Sequence, residues 1–428
     1  MSIRSDIPIL YFLLGLALPF VTIGPEIGHM IWLSPSLFLG VIVLSFSLLS
    51  HGVNGRMLAA VALLMVLAAT AIGRHPPMSF MVSLAALTLA ICPLLVSNMS
   101  PLSVKRLGQG FIAGYLITLA LLFLWIASQL GGMVAIYDDL SPFRAVRRNS
   151  HNFFVFYYRP QAGFAEPAHL AIYLAFAYAI FDHMTHRYSM ALKLSCLIAI
   201  MLTGSFVGYF LIGSYLFVRF SAWFLRSLKS GAIISKRGFL LLSSVTFLAV
   251  VLLNEQIAQL LDTVSNRLSR TISVAQTGTM SGSEGSRMNT IRVLFDYWDD
   301  KGLPGFLFGE GYGNISHWLI ATYSDVRWAT VASGSVDSKA VALVLSSGVI
   351  GLIFYLVFLS TTFRHFVANR NTAIITLVLV SHFASGGLIM HWKWHLLFAT
   401  LVFARAKAMS DTAPERQNTI WFAQPQWA

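Results

Sequence analysis

At 428 residues, 57% of them hydrophobic and only 11% charged, with a mean hydropathy of +0.72, the chain is too apolar for a soluble fold. Its apolar residues come in blocks of membrane-spanning length, and because those blocks do not alternate they exclude a β-barrel. The excess of 29 Lys+Arg over 17 Asp+Glu, a net charge of +12, falls largely in short connections on one side, a topology signal rather than a nucleic-acid footprint, so no nucleic-acid partner is expected.

The class is therefore all-α, a polytopic transmembrane helix bundle that forms a single domain over residues 1–428. The pattern predicts about twelve spans, at 7–24, 30–50, 57–73, 79–97, 107–130, 167–183, 189–203, 206–225, 238–254, 337–360, 371–390 and 392–406. The first, within Met1 to Gly24, has an apolar core too long for a cleaved signal and is expected to stay. Cys92 and Cys196 both fall inside apolar spans, which argues against a disulfide.

Orientation follows from the short basic connections. Arg4, Arg56, Lys105 and Arg106, Arg187 and Lys193, the run Arg226 to Arg237, Arg364 and Arg370, and Arg405 and Lys407 share one side, which places both termini in the cytoplasm. Two long segments face the other way. The first, 131–166, carries Arg144, Arg147, Arg148 and Arg159; basic residues on the outer side run against the orientation bias and call for an anionic ligand. The second, 255–336, holds two apolar stripes at helical spacing. One is Ile257, Leu260, Leu261, Val264, Leu268 and Ile272; the other, after a polar break from Gly278 to Gly285, is Met288, Ile291, Leu294, Phe295 and Trp298. These predict amphipathic helices that cap the bundle or rest on the membrane surface. Gly309 to Asn314 is a turn-rich element.

Chemistry concentrates in Arg159-Pro160-Gln161-Ala162-Gly163-Phe164-Ala165-Glu166-Pro167-Ala168-His169. Pro167 suits a first helical turn, and Glu166 then stands at a helix N-terminus, favourable for a carboxylate. Charge held at a bilayer edge is costly, so Arg159 and Glu166 are the first site candidates, set against an interfacial arginine and a capping glutamate. His169 follows Glu166 at a spacing that shares a helix face; a hydrogen-bonded helix-lining histidine is the plainer reading. Arg287, after Ser286, has the planar fork that suits phosphate oxygens, and Arg292 lies elsewhere on the same helix. Asp337-Ser338 opens a span, where an aspartate is either a base or an N-cap. Asp138-Asp139 and Asp299-Asp300 have no histidine at ligand spacing, so no metal site and no cofactor are expected. Gly309, Gly311 and Gly313 lack the strand and spacing of a nucleotide loop. His391, Trp392, Lys393, Trp394 and His395 suit interfacial anchoring.

In this order the pieces resemble the O-antigen polymerase and ligase superfamily, the Wzy-like polysaccharide polymerases in particular. The resemblance rests on Arg159, Gly163, Glu166 and Pro167 in an Arg-x-x-Gly-x-x-x-Glu-Pro pattern, on Ser286-Arg287, on Phe308 to Asn314, and on Asp337-Ser338 followed by Gly348-Val349-Ile350-Gly351-Leu352. It covers roughly residues 110–405 in short, degenerate motifs. It implies a membrane glycosyltransferase that joins undecaprenyl-diphosphate-linked oligosaccharides, donor to acceptor, at the periplasmic face of a bacterial inner membrane. Neither metal nor nucleotide takes part, and a chain-length regulator is an implied partner beside membrane lipid. The catalytic residues so implied are Glu166, Asp337, Arg159 and Arg287; the substrate-binding set is Arg159, Arg287, His169, Arg148, Arg292, Tyr312 and His317. The ligase branch places a histidine before the span that here opens with Asp337, which favours polymerase. Ligation of a finished glycan and flipping of a lipid-linked saccharide are the other readings, but the chain shows neither the repeated halves nor the intramembrane charge of a flippase.

Overall fold

A computed structural model describes residues 7–20, 26–27, 31–32, 34–51, 99–131, 150–153, 156–158, 162, 164, 167–184, 188–229, 283–310, 315–323, 339–367, 372–384 and 391–412. These residues are overwhelmingly helical: α1 (Pro8–Ala17), α2 (Pro35–His51), α3 (Pro101–Leu130), α4 (Pro167–His183), α5 (Ser189–Thr203), α6 (Phe206–Lys229), α7 (Ser283–Phe308), α8 (Ile315–Tyr323), α9 (Lys339–Val367), α10 (Thr372–Ala384) and α11 (His391–Thr412). Two short antiparallel hairpins interrupt them, β1 (Glu26–Ile27) with β2 (Ile31–Trp32) and β3 (Ser150–Phe153) with β4 (Phe156–Tyr158). The predicted spans 57–73, 79–97 and 238–254 and the apolar stripe 257–272 lie outside the described residues.

Among the described residues, Pro101–Leu130 and Val207–Leu225 are long and apolar enough to cross a membrane. Their outward side chains suit lipid: Phe123 is 67% exposed on α3 and Phe217 71% on α6. Both helices outrun the predicted spans. α3 begins at Pro101 because Ser100 caps it, its side chain accepting a hydrogen bond from the Ser103 N–H, and proline is preset for the first turn.

α4 is the central helix. Every residue from Leu170 to Ala177 has no exposed surface, as expected of a helix that is apolar all round. The α3 rings pack on it, Phe111 at 6.0 Å from Tyr173 and 5.5 Å from Phe181, Tyr115 edge-on at 4.9 Å from Phe181. α5 folds back through Gly204, left-handed at φ 58°, a conformation glycine adopts without penalty. α6 then approaches so closely at Gly208 that a Cβ there would meet Ala171 Cβ at 2.6 Å. Between α3 and α5, Tyr115 Oη and Ser195 Oγ share a hydrogen bond of 2.8 Å, and the buried Cys196 thiol donates to Tyr115.

A smaller core joins α7, α8 and α9 around Val293, Tyr297, Trp318, Leu319, Tyr323 and Leu345. It corrects the predicted register of α7. Of the expected stripe, Leu294 packs on this core, but Phe295 is 65% and Trp298 40% exposed, while Val293 and Tyr297 are fully buried. Apolar residues lie on more than one side of α7, and periodicity alone does not say which side meets the protein.

Candidate functional site

The stretch that opens the central helix contains two core residues. Ala162 is buried with φ 49°, the one non-glycine residue at positive φ among those described. A side chain held there costs on the order of 1 kcal/mol, and such strain survives only where the surroundings impose it. Phe164 has no exposed surface and lies 5.3 Å from the Tyr173 ring at 35°. Pro167 is buried in the first turn of α4 and His169 follows it, 8% exposed. The candidate residues of this stretch therefore belong to a segment that enters the core twice before the helix starts. Arg159 and Glu166 themselves lie outside the described residues, as do Arg148, Tyr312 and Asp337. Arg287 falls in the first turns of α7 and His317 in α8, and the structure describes the backbone of both.

Two of the four family-like pieces meet directly. α9 is broken at Gly348 (φ 68°, ψ −177°) and α7 at Gly302 (φ 61°, ψ −162°) just before Pro304. The end of α7 crosses α9 at its break. A Cβ on Gly348 would overlap the Leu307 carbonyl, and one on Gly309 (φ 73°) would overlap the Ser346 and Ser347 backbone, well inside contact distance. The Glu310 N–H donates to the Leu345 carbonyl at 2.9 Å and secures the crossing. Glycine is needed twice over here, for φ and for space. The break is covered by protein, and Gly348 is buried. Next to it the Ser347 hydroxyl is buried and has no hydrogen-bond partner among the described residues.

A polar network braces the same elements. Trp318 Nε1 donates to Asp300 Oδ2 at 2.8 Å and Tyr323 Oη donates to Asp296 Oδ2 at 2.5 Å. Lys301 Nζ lies 3.3 Å from Glu310 and 3.5 Å from Asp300. The indole N–H, with Lys301 beside it, holds the Asp300 carboxyl below the usual carboxylate range. Burial opposes the charge on Lys301, but Glu310 and Asp300 outweigh it and raise its pKa. Burial, and then the Asp296 charge, push the Tyr323 phenol up. Asp300, noted in the sequence as one of an acidic pair, thus accepts a tryptophan N–H. Arg292 is 64% exposed with Nε 3.8 Å from Asp296 one turn on, a surface pair worth a few tenths of a kcal/mol.

Sequence reasoning missed the Lys301–Glu310 pair; the signal available was an acidic residue between Gly309 and Gly311. It also missed Asp182 at the far end of α4, where Lys193 Nζ lies at 3.2 Å and Arg219 Nη2 at 2.9 Å from the carboxylate. No family model and no protein of established function matches this chain.

Proposed function

We propose that the protein is a polysaccharide polymerase of the inner bacterial membrane, a metal-independent glycosyltransferase that extends undecaprenyl-diphosphate-linked oligosaccharide repeat units on the periplasmic side. In this reading the chain has about twelve spans with cytoplasmic termini, and 131–166 and 255–336 are its two outer segments. The observation that carries it is the crossing of Gly309-Glu310 on the α9 break at Gly348: two pieces singled out for their resemblance, distant in sequence, are packed backbone to backbone. Discontinuous helices in membrane proteins recur where a polar substrate must be held at depth. The burial of Ala162 and Phe164, which frame a third piece at the entrance of the central helix, supports the same reading.

The reaction breaks the bond between the donor's anomeric carbon and the diphosphate oxygen and forms one from that carbon to an acceptor hydroxyl. Glu166 accepts the hydroxyl proton, with Asp337 the second choice for the base. Arg159 and Arg287 hold the leaving diphosphate as its charge develops. Arg148, His169, Arg292, Tyr312 and His317 line the sugars. A chain-length regulator is the protein partner this reaction invites.

Purified lipid-linked repeat units test the assignment. Each Arg→Lys change, Arg159→Lys and Arg287→Lys, should lower turnover about a hundredfold or more, because lysine lacks the bidentate fork. The double variant should lose much less than the product of the two single losses, since both arginines act on one group. Near-wild-type polymer length from both single variants, at normal protein levels, overturns the diphosphate assignment.

A further inference from the structure

At the opposite end of α4 from the candidate stretch, the described residues bring three cations to one aspartate. Asp182, in the last turn of α4, receives Lys193 of α5 at 3.2 Å and Arg219 of α6 at 2.9 Å, together with the Tyr215 hydroxyl, which donates at 3.0 Å. Lys407 of α11 reaches the same residue but bonds its backbone carbonyl, at 3.1 Å, which satisfies a donor and leaves the charge. Two residues before Lys407, Arg405 is half-buried, and its Nη1 is buried with no hydrogen-bond partner among the described residues. Three cations from three helices thus meet at Asp182, two of them on its carboxylate and Lys407 on its backbone carbonyl. An ammonium has three donors, and the described residues use one on each lysine.

A partly buried guanidinium or ammonium is costly unless an anion meets it. The side chains of Lys193 and Arg219 are 21% and 38% exposed, so an anion has access from outside. Fixed donors and net charge favour a phosphate, and basic recesses between helix ends on the cytoplasmic side are where anionic headgroups dock.

We propose that the helix ends around Asp182 bind a phosphate anion, either the headgroup phosphate of an anionic phospholipid or free phosphate. This site is independent of the transferase reading, and its test does not use turnover. The purified full-length protein is titrated with phosphatidylglycerol, with phosphatidylcholine of the same chains and with inorganic phosphate, and bound ligand is counted by native mass spectrometry alongside thermal unfolding. Phosphatidylglycerol should bind at least about tenfold more tightly than phosphatidylcholine and raise the unfolding temperature. If inorganic phosphate protects as well, the free anion is the ligand; if it does not, the lipid is.

Arg219→Gln and Lys193→Gln should each weaken binding about fivefold, the usual worth of one cation at an anionic surface. Asp182→Asn should strengthen binding although it loosens the fold, a sign reversal that a structural clamp does not produce. Should Arg219→Gln fail to fold, Lys407→Gln, which gives up only a carbonyl contact, serves in its place. Equal binding of the two phospholipids with no effect of phosphate, or weaker binding by Asp182→Asn, overturns the proposal.

Discussion

Among the described residues, two of the close contacts that glycine permits exist for different reasons. Between α1 and α3 it only removes bulk. A Cβ on Gly110 would overlap the Phe12 carbonyl, one on Gly15 the Leu107 carbonyl, and one on Gly114 would lie 2.6 Å from the Leu16 carbonyl. Gly15, Gly110 and Gly114 lie in unbroken stretches of helix, so this is close packing of two rods of the kind small residues permit in membranes. Between α7 and α9 the glycines also bend the chain, with positive φ at both Gly309 and Gly348. The first contact is a seam between intact helices; the second is a crossing at breaks in the helices. Packing and placement are distinct roles for glycine in this molecule, and the pieces of the candidate site meet at the second.

The largest expected effect is therefore at the crossing. Gly348→Ala must place a Cβ on the Leu307 carbonyl and also hold alanine at φ 68°. Left-handed backbone adds ~1–2 kcal/mol and overpacking typically ~1–3 kcal/mol, so a loss of about 3 kcal/mol or more is expected. Unfolding by titration with a denaturing detergent in mixed micelles measures it. A loss under about 1 kcal/mol would mean that α9 runs unbroken at this point.

At the seam the same substitution should cost less. Gly110→Ala meets the Phe12 carbonyl but keeps a helical φ, and alanine is the better helix former. The two effects oppose one another, which leaves a net loss of about 0–2 kcal/mol by the same titration. A loss equal to that of Gly348→Ala would erase the distinction between the two contacts.

How much of this was legible in the sequence differs along the same line. α4 and α5 begin and end where the pattern placed them, at Pro167–His183 and Ser189–Thr203, because proline, glycine and the change from apolar to charged residues are local signals. Ser100-Pro101 was an equally local start for α3, hidden by Lys105 and Arg106, which made the first turns look like connection. The hairpin Ser150 to Tyr158 fell in a stretch read as plain loop; its aromatic run is too short to separate strand from turn. The break at Gly348 was beyond reach, since a lone glycine in an apolar span is ordinary and only the docked Leu307–Gly309 backbone requires it. The motif residues were visible as a cluster, but which of them meet depends on how α7 lies on α9, and that is a tertiary fact.

The smallest effect is the one that calibrates the other two. Gly213 lies on the exposed face of α6, and a Cβ built there meets nothing within 4 Å. Neither space nor φ demands glycine at this position. In a helix interior glycine is less favourable than alanine by ~0.5–1 kcal/mol, because its backbone is freer when unfolded. Gly213→Ala should therefore leave stability unchanged or raise it by up to about 1 kcal/mol, with the same detergent and the same midpoint analysis as above. A loss comparable with that of Gly110→Ala would show that α6 packs against another surface at Gly213, and the difference between seam and crossing would then need a new reference.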